Sequence, residues 1–325
     1  MINSVAGLGK LDVVTVGECL VEIMRESRDV PHDVPGVYLG PYPSGAPAIF
    51  IDACARLGLK TGIIGAVGDD AFGKLLIDRL KRDSVDVSRV KILKDFTTGV
   101  AFVTYFSSGL RQFIYHLRHA ASGQIFPVDI DPSYIKASKL LHLMGSSLSI
   151  NENCKEACYR AVEIADDEGL MITFDPNLRP ELLDVSTIRN ICAPILKVAK
   201  AVLPSSIEAE ALTGVKDPIN SGRRLLEYGP EIVVIKMGEK GSIAVTRDEV
   251  IETSAIKVKE VDPTGAGDVY DAAFIYGLLN RWSLKEILRF ANAAGAIKVT
   301  RFGPMEGPVS RHEIENFLRE MSADL

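Results

Sequence analysis

The sequence predicts an α/β fold: a doubly wound, mostly parallel sheet with helices on both faces, carrying a small second β-sheet. Three observations predict it. Short β-rich runs alternate with helical periods along most of the 325 residues, the later β-rich runs read as strands buried on both faces, and two segments between residues 100 and 117 break the alternation.

In chain order, Val13–Gly17 reads as the first strand, followed by a helix from Pro47 to Leu57, a strand at Gly62–Val67 and a helix from Asp70 to Arg82. Leu140–Met144 is a strand, a helix lies near Glu152–Glu168, and Met171–Phe174, Ala201–Leu203 and Ile232–Lys236 follow as buried parallel strands. Helices near Ala266–Leu279 and Leu284–Thr300 occupy the last third. The two segments outside this rhythm, Val100–Phe106 and Gln112–Leu117, are aromatic and β-branched and flank Ser107-Ser108-Gly109, which reads as a β-hairpin. With short strands at Leu20–Met24 and Val37–Leu39, they predict a small antiparallel sheet built from residues near 18–43 and 97–119. That sheet projects from one domain spanning 1–325, without a core of its own. Doubly wound sheets bind ligands at the carboxyl ends of their strands, so motifs that follow strands have the first claim to chemistry.

Composition narrows the function. Hydrophobic residues at 47% and charged residues at 25% exclude disorder and collagen-like repeats. A balance of 37 basic against 43 acidic residues, net charge -6 with no dense Lys/Arg run, argues against a nucleic-acid partner. The longest uncharged stretch, Val34–Ile51, contains Pro35, Pro41, Pro43 and Pro47, so it makes no membrane helix. Asp12 and Glu18 around the apolar Val13–Val16 do not fit a signal peptide, and a cytoplasmic location is expected. Five cysteines, with Cys154 and Cys158 four apart on a predicted helix, read as buried or incidental thiols.

Two glycine-rich turns compete for an anion. Gly68-Asp69-Asp70-Ala71-Phe72-Gly73-Lys74 has the spacing of a phosphate loop, but position 75 is Leu where a hydroxyl must reach magnesium, and two aspartates would repel a phosphate. It reads as a turn and helix start. Val261-Asp262-Pro263-Thr264-Gly265-Ala266-Gly267-Asp268 lies ahead of a long helical pattern. Its glycines let successive N–H groups at the helix start converge on one space, where the helix dipole adds partial positive charge. Asp268 beside that space can accept the proton of an attacking hydroxyl, although the same residues also read as a plain turn with an ordinary first-turn acid. Tyr270 stands where a dinucleotide fingerprint needs its third glycine, and Val16-Gly17-Glu18-Cys19 lacks a glycine-rich turn after the first strand, against an NAD-dependent enzyme.

Asp262-Pro263-Thr264-Gly265-Ala266-Gly267-Asp268, with Ala272, Phe274, Gly277 and Ala291-Asn292-Ala293-Ala294, resembles the C-terminal signature of the ribokinase-like (PfkB) carbohydrate kinases. Ser44-Gly45-Ala46-Pro47-Ala48, Ala55-Arg56-Leu57-Gly58 and the Gly65–Gly73 segment are similar to the N-terminal signature, so the likeness spans nearly the whole chain. The resemblance implies a ribokinase-like fold in which the small sheet is a lid over a sugar, and a kinase that transfers the γ-phosphoryl of ATP to a hydroxymethyl group with Mg2+ on the phosphates. It implies Asp268 as base and the N–H groups of Gly265, Ala266 and Gly267 as an anion hole. It assigns Lys236, Gly238 and Gly241 of a nucleotide loop, with Ser205, Asp262, Thr264 and Asn292, to ATP, and Gly45 to the sugar.

Two departures qualify the match. Ile49 stands where the family usually has Asn, which removes a polar sugar contact. The magnesium-associated Asn-x-x-Glu appears as Ser205-Ser206-Ile207-Glu208, in which Glu208 is the metal candidate, while the same spacing also reads as a helix capping box. These departures keep open a non-catalytic sugar or nucleotide sensor on the same fold. Asp175-Pro176-Asn177-Leu178-Arg179 follows a buried strand and resembles a segment of the 2-keto-3-deoxygluconate kinases and fructokinases; Arg179 suits a carboxylate or a phosphate. Tyr115, His116 and Arg118 on the lid add an aromatic and cations, although one solvated face of a lid strand explains them equally. The acceptor expected is therefore a sugar acid of the 2-keto-3-deoxygluconate type, with fructose, tagatose and nucleosides as alternatives. A sheet bearing Val100, Phe102, Tyr105, Phe113 and Tyr115 has more apolar surface than one thin layer buries, which predicts a homodimer through the lid.

Overall fold

The apolar run at the start of the described chain becomes β1 (Leu11–Val16), followed by β2 (Leu20–Arg25), β3 (Tyr38–Ser44), α1 (Ala46–Arg56), β4 (Thr61–Gly68), α2 (Ala71–Arg82) and β5 (Asp86–Leu93). Then come β6 (Gly99–Tyr105), β7 (Arg111–His116), α3 (Pro132–Lys136), β8 (Ser138–Met144), α4 (Gly145–Leu148), α5 (Glu152–Asp167) and β9 (Met171–Asp175). The remainder comprises α6 (Val185–Leu196), β10 (Ala201–Val202), α7 (Ser206–Thr213), α8 (Pro218–Leu226), β11 (Ile232–Lys236), β12 (Ser242–Val245), β13 (Val250–Thr253), α9 (Ala266–Leu279), α10 (Leu284–Val299) and α11 (Arg311–Ala323). The structure, a computed structural model, describes residues 11–323; the ends of the predicted 1–325 domain lie outside the described residues.

Nine strands form one sheet in the order β13-β12-β11-β10-β9-β8-β1-β4-β5, parallel except for the β11–β12–β13 meander at one edge. All eight residues of β4 are buried, as a strand covered on both faces requires. One face carries α1, α9 and α10 through Phe50, Phe274 and Leu288; the other carries α5 and α6 through Ala161 and Ile188. Phe50 and Phe274 are fully enclosed, and truncating such a side chain to Ala costs about 3–5 kcal/mol.

Four strands make a second sheet in the order β3-β2-β6-β7. Antiparallel pairing joins β3 to β2 and β6 to β7, but β2 and β6 run parallel, where a wholly antiparallel sheet was expected. The reason is the intervening α1–β4–α2–β5 crossover, which delivers both strands in the same direction. Asp70 caps α2, accepting the Gly73 N–H at 2.8 Å and also the Thr98 N–H at 2.7 Å and its hydroxyl at 2.7 Å. The rejected phosphate loop is thus a helix start that also anchors the entry to β6. All five cysteines are buried and unpaired. Among the described residues no helix is long and apolar enough to cross a membrane.

Candidate active site

A cleft of about 1070 Å³ opens where the small sheet faces the carboxyl ends of the large one. That volume exceeds the ~1,000 Å³ upper range of small-molecule pockets, enough for two ligands side by side. Its floor is the turn before α9. Gly265 holds φ +77° at the helix N-cap, where a Cβ would approach the Pro304 carbonyl to 2.5 Å, so only glycine fits without displacing that backbone. Ala266 N–H returns to the Pro263 carbonyl at 3.2 Å; among the described residues Gly265 and Gly267 make no such bond. Two of the three expected anion-hole donors are therefore uncommitted to the chain, and the third closes the turn.

Asp268, in the first turn of α9, is buried and lines the cleft, with Asn177 Nδ2 donating to its Oδ1 at 3.4 Å. Burial, and next the charge of Asp175, push its carboxyl up to about 7, against the pull of Arg179 and Lys236. A carboxyl that ionises near neutrality is matched to taking a proton from a hydroxyl. Lys236, at the end of β11, donates to both oxygens of Asp271 at 2.9 and 3.0 Å and to Asp175 at 3.1 Å. Although burial opposes its charge, those carboxylates hold the ammonium above its ordinary range. Lys236 lines the cleft, but its donors are spent on a buried triad instead of pointing at a nucleotide.

The other residues assigned to ATP divide similarly. Gly238 and Gly241 form the cleft's far wall, in a single 3₁₀ turn after β11. Asn292 lines the cleft, yet its amide is occupied: Oδ1 accepts from Ser242 at 3.2 Å, and Nδ2 donates to the carbonyls of Thr253 at 3.1 Å and Ser254 at 3.4 Å. Asp262 does not line the cleft; Oδ1 accepts the N–H of Thr264 at 2.9 Å and its hydroxyl at 2.6 Å, and Oδ2 accepts the Gly303 N–H at 2.9 Å. It shapes the turn from behind, which corrects its expected place at the nucleotide. Thr264 does line the cleft, and Tyr105 from β6 hydrogen-bonds its hydroxyl. Together with an Arg28–Glu260 ion pair at 3.2 Å, that contact joins the small sheet to the body.

Of the two readings of Ser205 and Glu208, the capping box is formed. Ser205 Oγ accepts the Glu208 N–H at 3.3 Å and Glu208 Oε2 accepts the Ser205 N–H at 2.6 Å, while Oε1 accepts the Leu178 N–H at 2.9 Å. Both residues still line the cleft, and each carboxylate oxygen retains a second lone pair.

On the lid, the strand period of two decides which side chains face the cleft. Arg111, Phe113 and Tyr115 line it. His116 is exposed and packs edge-on to Phe102, and Arg118 is exposed with Nε donating to the Ile150 carbonyl at 3.2 Å. Neither is placed as a substrate contact; the cations of the small sheet that line the cleft are Arg111 and Arg28. Arg179 after β9 and Gly45 both line the cleft, and a Cβ at Gly45, φ +105°, would come within 2.5 Å of the Glu18 carbonyl. Ile49 is buried and also faces the cleft as an apolar wall.

Two buried cleft acids went unnoticed in the sequence. Glu18 accepts from the Ser147 hydroxyl at 2.6 Å, and Glu22 on β2 from the Ser44 hydroxyl at 3.3 Å. Burial raises both, Glu22 to about 8 with the Asp262 charge adding to it. Carboxyl groups inside an otherwise apolar strand run were the available signal, since such burial is costly without a purpose.

A model of the pfkB family carbohydrate kinases matches residues 10–311. The chain is 31% identical over 317 residues to probable fructokinase-2 of Arabidopsis thaliana, covering 94% of this chain and 95% of that one. To 5-dehydro-2-deoxygluconokinase of Clostridium perfringens it is 30% identical over 326 residues, covering 96% and 94%. The crystal structure of a candidate ribokinase II from E. coli in complex with ATP and Mg2+ superposes with TM-score 0.88 at 40% identity, over 95% of this chain and 99% of that one.

Proposed function

Because the chain belongs to the pfkB family and is an ATP-dependent carbohydrate kinase of ribokinase-like fold, we propose that its acceptor is a keto-deoxy sugar acid of the 2-keto-3-deoxygluconate type, held through its carboxylate by Arg179. The observation that carries this is Arg179 itself, a permanently charged guanidinium lining the acceptor side of the cleft beside Tyr115 and Asp268. A relative named for a dehydro-deoxygluconate supports the class. Glu18 and Glu22 favour a second reading, a neutral ketohexose whose hydroxyls they would hydrogen-bond, in line with the fructokinase relatives.

In this reading Asp268 takes the proton of the acceptor hydroxymethyl as its oxygen attacks the γ-phosphorus. The N–H groups of Gly265 and Gly267 receive the charge that develops on the transferring group, aided by the N-terminal dipole of α9. Glu208, which lines the cleft, is the residue that would hold the Mg2+ arriving with ATP, whose charge would neutralise that of the phosphates. The Tyr105–Thr264 contact keeps the lid over the turn and water away from it. An ATP-consuming enzyme with five unpaired buried thiols fits a cytoplasmic location.

ADP release against a panel of sugars, sugar acids and nucleosides tests the acceptor. The keto-deoxy acid should give the highest kcat/KM, and Arg179→Met should raise its KM by about 10-fold or more, as loss of a charge-assisted pair does, while barely affecting fructose. Equal effects on both would mean that Arg179 serves structure or the ATP phosphates, and fructose as the better substrate would establish the second reading.

The lid's outer face carries Phe102 and a 44% exposed Ile114, while Val100 at its base packs against the core of the body, and Tyr105, Phe113 and Tyr115 turn to the cleft. We propose that this outer face pairs two chains. Light scattering at micromolar concentration should then give twice the 35.3 kDa chain mass, reduced by Ile114→Lys; a monomer mass at all concentrations would refute the pairing.

A further inference from the structure

Lys298, on the last turn of α10, is fully buried, does not line the cleft, and has no part in the reaction described above. Enclosing an ammonium costs several kcal/mol unless oxygens surround it, so its neighbours indicate what it is for. Nζ donates to the Asp262 carbonyl at 3.0 Å and to the Arg301 carbonyl at 3.1 Å, and stands 3.7 Å from Asp262 Oδ2. Those oxygens belong to the two backbone segments that frame the anion hole. One, Asp262 to Gly265, is the turn itself. The other, Arg301 to Pro304, sends the Gly303 N–H to Asp262 Oδ2 and places the Pro304 carbonyl against Gly265. Burial lowers the Lys298 pKa, and the facing Asp262 charge counters it.

We infer that Lys298 is a positioning residue for phosphoryl transfer. Its ammonium is a built-in cation that draws the Asp262 and Arg301 segments together, holding the N–H groups of Gly265 and Gly267 in register, so that the chain needs no soluble monovalent cation for this purpose. Without the charge, two carbonyl oxygens and a carboxylate would converge on one dry space and repel. The turn would then relax, and a small shift of donors aimed at a developing charge is enough to lose their effect.

This inference rests on the reading of the Gly265–Asp268 turn as the phosphoryl site, so the wild-type chain is assayed first: no turnover with any acceptor would count against that reading, independently of Lys298. Turnover is then compared in sodium, potassium, ammonium and tetramethylammonium chlorides at equal ionic strength. The wild type should be indifferent to the cation. Lys298→Met should lose about 10²-fold in kcat with ATP affinity kept. Ammonium or potassium, small enough to enter the space between the same oxygens, should recover about tenfold or more, and tetramethylammonium should not. Three results would overturn the inference: a wild type that requires potassium, a variant with wild-type kcat, or a folded variant whose loss no cation relieves, which is what mere packing predicts. If Lys298→Met fails to fold, the wild-type cation series still decides.

Discussion

Replacing Asp268 by Asn is expected to lower kcat by about 10²–10⁴-fold, the usual cost of a lost general base, while ATP affinity stays within a few-fold. The substitution keeps the shape of the side chain and an oxygen for Asn177 to donate to, so the turn and the anion hole remain. The pH dependence separates this role from a structural one. Asp268 must be ionised to accept a proton, and with its carboxyl raised to about 7 the wild-type kcat/KM should fall as the pH drops through that value. The variant's profile should be flat there. Its effect on stability has a defined sign as well: a folded-state pKa above the 3.8 of a free aspartate means the folded chain binds the proton more tightly, so the stabilisation from this group is full below about 3.8 and lost as the pH rises through about 7. Near wild-type turnover by the Asn variant, with chemistry rate-limiting, would remove Asp268 from the mechanism.

Replacing Lys236 by Met should destabilise the fold by about 3–5 kcal/mol, because it strands buried carboxyl groups without their cation. Asp175 and Asp271 are both almost completely enclosed, and Lys236 is the ammonium that bonds to both. In the intact triad Asp175 is held low, despite burial, by Lys236 and a hydrogen bond from Asp271, whereas burial pushes Asp271 up. Urea titration measures the effect as a drop in midpoint at constant slope. A further Asp271→Asn change in the Met variant should return part of the loss, since one of the two stranded carboxyls disappears. A drop below about 1 kcal/mol, the worth of an exposed pair, would mean that Lys236 is not the centre of a buried triad.

Local chemistry made much of this protein legible from its sequence. The Gly265–Asp268 turn announced itself because a helix start that must approach another backbone closely tolerates only glycine, a requirement written into the residue itself. Asp70 and the Ser205–Glu208 pair were readable as caps for the same reason: a side chain bonding an N–H three residues on involves nothing outside its own turn. The hairpin at residues 99–116 and the buried parallel strands followed from periodicity alone.

Tertiary structure decided whatever depended on direction or on distant partners. Tyr115 faces the cleft while His116 and Arg118 do not, and Arg111 does, because a strand's period of two divides its side chains between faces but the packing of the lid chooses the face. Asn292 and Asp262 sit at the expected turn and helix, but contacts across 39 and 41 residues, to Thr253 and from Gly303, consume their polar atoms. The pairing of Lys298 with Asp262, 36 residues away, left no trace in the sequence beyond a lysine in the apolar second half of α10. By itself the sequence determined the turns, caps, alternation and family of this chain, since each is encoded within a few consecutive residues; which buried charges meet was left to long-range packing, because a lysine or a carboxyl acquires its partner only when the sheet and its helices close around it.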